Sequence, residues 1–295
     1  MDIQQNPYEW MIKLTPQKEW IEGRGTLLLL AMFFGMGAGV YLVFSVFDNI
    51  FGMLVGLLIV NLLFGGLHLV YLGKPLRFWR MFLRPQTSWI SRGLIFVTIL
   101  NITGIVEMGM IYWLPGTGIQ MVFKVISIIL AVLVCIYTGF VMSYVRAIPF
   151  WNSALLPVLI VVHEILGGLG VVLMLSKING FGLDIELIEH WSTMLLVVSA
   201  FLLAIYLWNA TYSMRPGPQS VLVLLRGPKV FSLPFWIGVV LLGIILPLIV
   251  GWYSYYGGGV SSYLLFGGIV SELTGGLGLR YCILKSGFYA PLLPI

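Results

Sequence analysis

Eight uninterrupted apolar runs, each near the length of a bilayer crossing, constrain this chain more than any other feature. They fall at roughly 25–47, 51–72, 89–113, 119–144, 152–175, 190–210, 233–253 and 261–284. A helix needs about 20 apolar residues to cross the hydrocarbon core. A membrane β-barrel would show short alternating segments instead. The expected fold is therefore an all-α integral membrane protein of about eight transmembrane helices packed as a bundle. Only 9% of the residues are charged and 60% are hydrophobic, which excludes an ordinary soluble domain. The breaks between runs carry turn chemistry, as at Gly73-Lys74-Pro75, Pro115-Gly116 and Gly257-Gly258-Gly259. The expected organisation is one transmembrane domain over 1–295. It carries a short polar N-terminal segment, 1–24, and an interfacial basic loop, 73–92.

An even number of crossings puts both termini on one face. That face collects the cations, and only Lys124 and Lys177 of the 16 lysines and arginines fall on the other. The excess of lysine and arginine on cytoplasmic loops then places both termini on the cytoplasmic side. The same asymmetry accounts for the net charge of +5 without nucleic acid. The two cysteines, Cys135 and Cys282, lie in apolar runs and cannot ligate an iron–sulfur cluster.

Ionisable residues inside spans are costly, and each is a functional candidate. Near the cationic face lie Glu22 and Arg24 before span 1, His68 late in span 2, Tyr137 late in span 4, and Arg280 near the end of span 8. A quinone suits this set. Its two oxygens need hydrogen-bonding partners, and its redox chemistry needs groups that exchange protons near neutral pH. Deeper in the membrane are Asn61, Asn101, His163, Glu164 and Glu272, with Glu107 nearer the opposite face. These form either a proton path towards the cationic face or polar pairs that hold helices in register. His163 and Glu164 are adjacent on one helix, so they point about 100° apart and meet different neighbours. The three histidines, His68, His163 and His190, sit at three different depths. A haem held between helices needs two at matching depth, so a haem-free chain is expected.

Between Pro75 and Pro85, Arg77, Arg80 and Arg84 fall at i, i+3 and i+7, opposite Leu76, Phe82 and Leu83. This predicts a short interfacial helix with a basic stripe, facing anionic lipid or a docked partner, with Arg92 beside it. Ser88 can cap the span that follows. Glycine clusters recur at Gly35-Met36-Gly37-Ala38-Gly39, Gly167-Gly168-Leu169-Gly170 and Gly275-Gly276-Leu277-Gly278. They serve close helix packing or expose backbone to a headgroup.

Four motifs in order resemble a known family. They are Gly35-x-Gly37-x-Gly39-x-Tyr41 in span 1; Gly65-Gly66-Leu67-His68-Leu69 through Gly73-Lys74-Pro75-Leu76-Arg77, with Pro85, Ser88-Trp89 and Ser91-Arg92; Tyr137-Thr138-Gly139 with Pro149-Phe150-Trp151-Asn152 and Pro157; and Arg280-Tyr281 with Leu284-Lys285-Ser286-Gly287. Together they are similar to the polysulphide reductase/NrfD-type membrane subunits, which include the DMSO reductase anchor. The resemblance implies a haem-free subunit that binds menaquinone or ubiquinone near one face. It also implies a docked four-cluster ferredoxin-like iron–sulfur subunit and a catalytic subunit holding molybdenum or tungsten. His68 and Tyr137 match the family's quinone-site positions. Where some members carry Asn and His before span 1, this chain has Trp20, Glu22 and Arg24, so Glu22 is expected to exchange protons. A proton-translocating module coupled to quinone chemistry is the alternative, and a solute transporter ranks third.

Overall fold

The computed structural model describes residues 20–179, 181–214, 216–256 and 261–290. Most of the polar segment 1–24 and the Gly257–Gly259 break lie outside them. Among the described residues the chain is built from helices. Span 1 comprises α1, Gly25–Phe33, and α2, Met36–Val46. Span 2 is α3, Ile50–Leu58, a π-helical turn, Ile59–Gly65, and α4, Gly66–Tyr71. A 3₁₀ helix, Pro75–Leu83, leads to α5, Trp89–Trp113. Then come α6, Gly118–Ser143; α7, Leu155–Asn179; and α8, Ile185–Thr211. A short α9, Gly217–Arg226, precedes span 7, which is α10, Lys229–Leu233, a π-helical stretch, Pro234–Ile245, and α11, Leu246–Tyr256. Last is α12, Ser262–Lys285.

Seven of these stretches are long and apolar enough to cross a membrane, which makes this a multi-pass membrane protein. The eighth expected span is α12, 24 residues long but less apolar than the rest. The reason is its position. It packs against spans 1, 5 and 7 and buries Glu272 and Arg280 on that side, while Tyr263, Leu264, Phe266 and Val270 stay exposed.

The helices begin where the sequence supplies caps. Asn49, Ser88, Thr117, Asp184 and Ser261 each accept a hydrogen bond from a backbone N–H three residues on. The Asp184 cap starts α8 at Ile185, five residues before the apolar run begins. Three irregularities have no signature in the hydropathy pattern. Span 1 breaks at Phe34–Gly35, where Gly37 and Ala38 donate to carbonyls three residues back, and Arg280 Nε donates to the Met32 carbonyl at 3.1 Å. A side chain inserted into the helical ladder is a recognised cause of a kink. Spans 2 and 7 each carry π-helical turns, the second opening at Pro234 and closing just before Pro247, both of which lack an N–H.

Burial is uneven. Spans 1 and 5 are two-thirds buried over their most apolar windows, whereas α5 is buried over only 17% of its own. The glycine clusters lie in the seams of the buried set. A Cβ on Gly168 would overlap the Gly39 backbone, and one on Gly275 would overlap Gly243. They serve close packing, and none of the three clusters lines the large cavity described next.

Candidate functional site

A cavity of about 440 Å³ opens where the beginning of span 1, the end of span 2, the beginning of α5, the end of α6 and the last turn of α12 meet. Alternating crossings bring those ends together. The lining is mostly apolar, with few polar groups, as is usual for small-molecule sites. Phe78 and Met81 roof it from the 3₁₀ helix, where three residues per turn align them on one face.

His68 lines this cavity. Its Nδ1 lies 2.8 Å from the Phe64 carbonyl, four residues back on the same helix. A carbonyl only accepts, so Nδ1 carries the proton and Nε2 keeps a free lone pair. The His68 ring lies 4.7 Å from Phe64 and 6.3 Å from Tyr137, centroid to centroid, and Phe64 and Tyr137 meet edge-on at 6.0 Å. Gly93 makes room for the Tyr137 ring, since an added Cβ would overlap it. The Tyr137 hydroxyl makes no hydrogen bond among the described residues, and the buried Thr138 hydroxyl beside it has no partner. Trp20 completes one wall against Trp151, at 5.1 Å between rings. Trp151 is itself fixed by its indole N–H, which donates to the Ile283 carbonyl at 2.6 Å.

Asn61 and Asn101 line the same cavity, not the path through the membrane that their depth suggested. They form a reciprocal amide pair between spans 2 and 3, at 2.7 and 3.0 Å. Asn61 comes from the π-helical turn, a kind of irregularity that often marks functional positions.

Three of the residues expected beside the quinone are elsewhere. Glu22 and Arg24 are exposed and do not line the cavity. Arg24 instead packs over Gly73, whose left-handed backbone (φ 74°) ends span 2 and leaves space for the guanidinium. Arg280 is also displaced from its expected place. It does not line the cavity and is 1% exposed, paired with the fully buried Glu164 at 2.8 Å. Its Nη1 donates to the Gly276 carbonyl at 2.9 Å, besides the bond to Met32. A buried arginine needs a counter-charge and partners for its N–H groups, and α1, α7 and α12 supply them at the centre of the bundle.

The other intramembrane groups divide into separate clusters. Tyr41 and Ser45 donate to the two oxygens of the buried Glu107, at 2.5 and 2.6 Å. His163 Nε2 meets the Ser199 hydroxyl at 3.0 Å, on a neighbour different from that of Glu164. Glu272 has one carboxylate oxygen without a partner, and with His163 and Arg280 it borders a cavity of about 10 Å³, room for about one water. The six residues expected along a proton path thus sit in separate groups rather than in one file.

The 75–84 segment is a 3₁₀ helix that ends at Leu83, which changes its faces. Arg77 and Arg80 stack on one side, Arg84 lies beyond the helix end, and all three are exposed. Arg92 is not available for docking. Its guanidinium donates to the Pro85 and Gln86 carbonyls, both at 2.8 Å, and lies 4.5 Å over the Trp89 ring. It fastens the loop to the start of α5. Among the described residues, no three or more His, Cys, Asp or Glu side chains gather as metal ligands would.

Sequence reasoning missed Gly93, Thr98, Phe78 and Met81 as lining residues, because nothing in an apolar run marks which face meets a cavity. Trp151 had a signal, its place in the Pro149-to-Asn152 motif. Residues 25–291 match the family model for polysulphide reductase, NrfD. The chain is 29% identical over 260 residues to Protein NrfD of Escherichia coli (strain K12), covering 79% of each chain. It is 25% identical over 210 residues to the Protein NrfD homolog of Haemophilus influenzae, covering 62% of this chain and 64% of that one. A helical membrane bundle matched over nearly all its described length, with the motif residues His68, Tyr137 and Trp151 meeting around one cavity, belongs to the polysulphide reductase NrfD family.

Proposed function

We propose that this chain is the quinol- and quinone-reactive membrane subunit of an oxidoreductase complex. One observation carries the reading. His68 presents a fixed acceptor nitrogen, beside the free Tyr137 hydroxyl, to an apolar cavity large enough for an aromatic headgroup. Bound there, a menaquinol or ubiquinol supplies two electrons and two protons. His68 Nε2 accepts one proton from the ring hydroxyl nearest it, Phe64 holding the imidazole in the tautomer that can do so, and the second proton leaves to water at the open mouth of the cavity. Tyr137 hydrogen-bonds the same end through an oxygen that can donate or accept. Trp20, Trp151, Phe78 and Met81 exclude water and pack against the ring.

The electrons pass to a redox partner docked over the cavity. Exposed Arg77, Arg80 and Arg84 beside the roof favour an acidic protein there, in this reading a four-cluster ferredoxin-like iron–sulfur subunit that serves a molybdenum or tungsten catalytic subunit. Anionic lipid headgroups take the rest of the basic face. The cation excess puts that face and both termini in the cytoplasm, the chain lying as one domain in a bacterial inner membrane.

The test uses the assembled complex. His68→Ala should abolish quinol-linked turnover and leave artificial-dye activity of the soluble partners intact; unchanged quinol activity would refute the role. The partnerless Glu272 oxygen near His163 supports a second reading, that proton movement is coupled to this chemistry. In that reading Glu272→Gln keeps turnover and loses proton release in sealed vesicles.

A further inference from the structure

The cavity has a second polar end whose hydrogen-bonding capacity is one-sided. Asn61 donates both its amide protons, to the Leu57 carbonyl at 2.7 Å and to Asn101 Oδ1 at 2.7 Å. Asn101 likewise donates to the Val97 carbonyl at 2.9 Å and to Asn61 Oδ1 at 3.0 Å. The amide orientations are fixed, because a flip would set an oxygen against a backbone carbonyl. All four N–H groups are therefore used, and only the spare lone pairs on the two Oδ1 atoms remain. Thr98 adds a third acceptor, since its hydroxyl proton goes to the Leu94 carbonyl at 2.8 Å. Neither end is short of acceptors, because His68 Nε2 is also one. Among the described lining residues the hydroxyl donors, Tyr71, Tyr137 and Thr138, stand at the His68 end, and none stands beside the Asn61–Asn101 pair.

The spacing fits a single ring. Asn61 and His68 are seven residues apart on one helix, at most about 10 Å along its axis. A para-dihydroxy ring with a hydrogen bond at each end spans about 11 Å. We propose that the Asn61–Asn101 pair is the second recognition point of this cavity. It accepts the far hydroxyl of a quinol whose near hydroxyl meets His68, so the site holds the reduced headgroup in preference to the oxidised one. An oxidised ring brings a carbonyl to this end and finds no donor. The inference rests on the quinone-site reading and makes this chain a site that takes up the reduced headgroup.

Binding to the purified full chain in detergent, under anaerobic conditions, tests it. The probes are a short-chain menaquinol analogue, its monomethyl ether and its oxidised form. The wild type should bind the quinol about ten-fold more tightly than either of the other two, the effect of one acceptor left unpaired. The Asn61→Leu/Asn101→Leu double variant should bring the three within about two-fold. Equal binding of quinol and ether by the wild type overturns the proposal without any variant. So does an unchanged ratio in a double variant that melts normally, which would make the pair a helix clasp only. Failure of the quinone-site reading looks different: no probe binds, or His68→Ala leaves binding unaltered.

Discussion

Two regions of this bundle hold polar groups at hydrocarbon depth, and they are built in opposite ways. Around Arg280 and Glu164 the helices close to backbone contact, and glycines remove every side chain that would stand between them. Around His68 and Tyr137 the helices stand apart, and aromatic rings line a space of about 440 Å³. In the first region the charges answer one another. In the second, His68 Nε2 and the Tyr137 hydroxyl meet no partner among the described residues. The contrast teaches that an ionisable residue in a membrane span is not by itself a sign of chemistry. What separates the two is whether the group is matched inside the bundle, as Glu164 is by the charge of Arg280, or faces open space, as His68 does.

Removing a member of the closed region should have the largest effect. Arg280→Leu leaves the Glu164 carboxylate buried and uncompensated, at a cost of about 3–5 kcal/mol. Folded yield and melting temperature in detergent should collapse, and a Glu164→Leu/Arg280→Leu double variant should recover much of the loss. If the single variant is as stable as the wild type, the closed region is not a structural bolt. His68→Ala should do the reverse, with normal melting and quinol-linked turnover abolished, a loss of at least about 100-fold for a missing proton acceptor.

A pair of glycine variants sharpens the contrast. Gly93→Ala displaces the Tyr137 ring and should lower quinol turnover about ten-fold at little cost in stability, since small misplacements of reacting groups are expensive. Gly168→Ala forces spans 1 and 5 apart and should lower the melting temperature while leaving the turnover of the folded fraction unchanged. The reverse assignment would dissolve the distinction between the regions. The smallest effect belongs to Arg92→Gln. It gives up hydrogen bonds to the Pro85 and Gln86 carbonyls and should cost about 1 kcal/mol, read as faster proteolysis of the 73–92 loop.

Much of this architecture is legible in the sequence, because lipid admits few ways to satisfy a backbone. Span positions follow from the apolar runs, and capping residues such as Asn49 and Ser88 set where helices begin. The depths of His68 and Tyr137 are legible too, and alternating crossings bring them to one level. Rotation about the helix axis is not. Arg280 lies near the end of its span, yet it turns inward to Glu164 because that part of α12 packs against spans 1 and 5. Asn61 and Asn101 look like steps across the membrane, yet a π-helical turn carries Asn61 to the cavity, and no hydropathy pattern announces that turn. The 3₁₀ helix shows the same limit. Spacing read at 3.6 residues per turn unites three arginines, whereas three per turn unites two of them and aims Phe78 and Met81 at the cavity.

The contact between Arg280 and the Met32 carbonyl joins positions 248 apart in the chain. A ribosome delivers span 1 and the Glu164 helix into the bilayer long before α12 exists. Through that interval a carboxylate waits at mid-membrane, and the first helix lacks the guanidinium that occupies its break. Only the last helix neutralises the one and braces the other. A chain cut short anywhere before α12 therefore carries an unanswered charge in lipid, a flaw that membrane quality control can detect. The arrival of α12 is thus the step that closes the polar centre of the bundle.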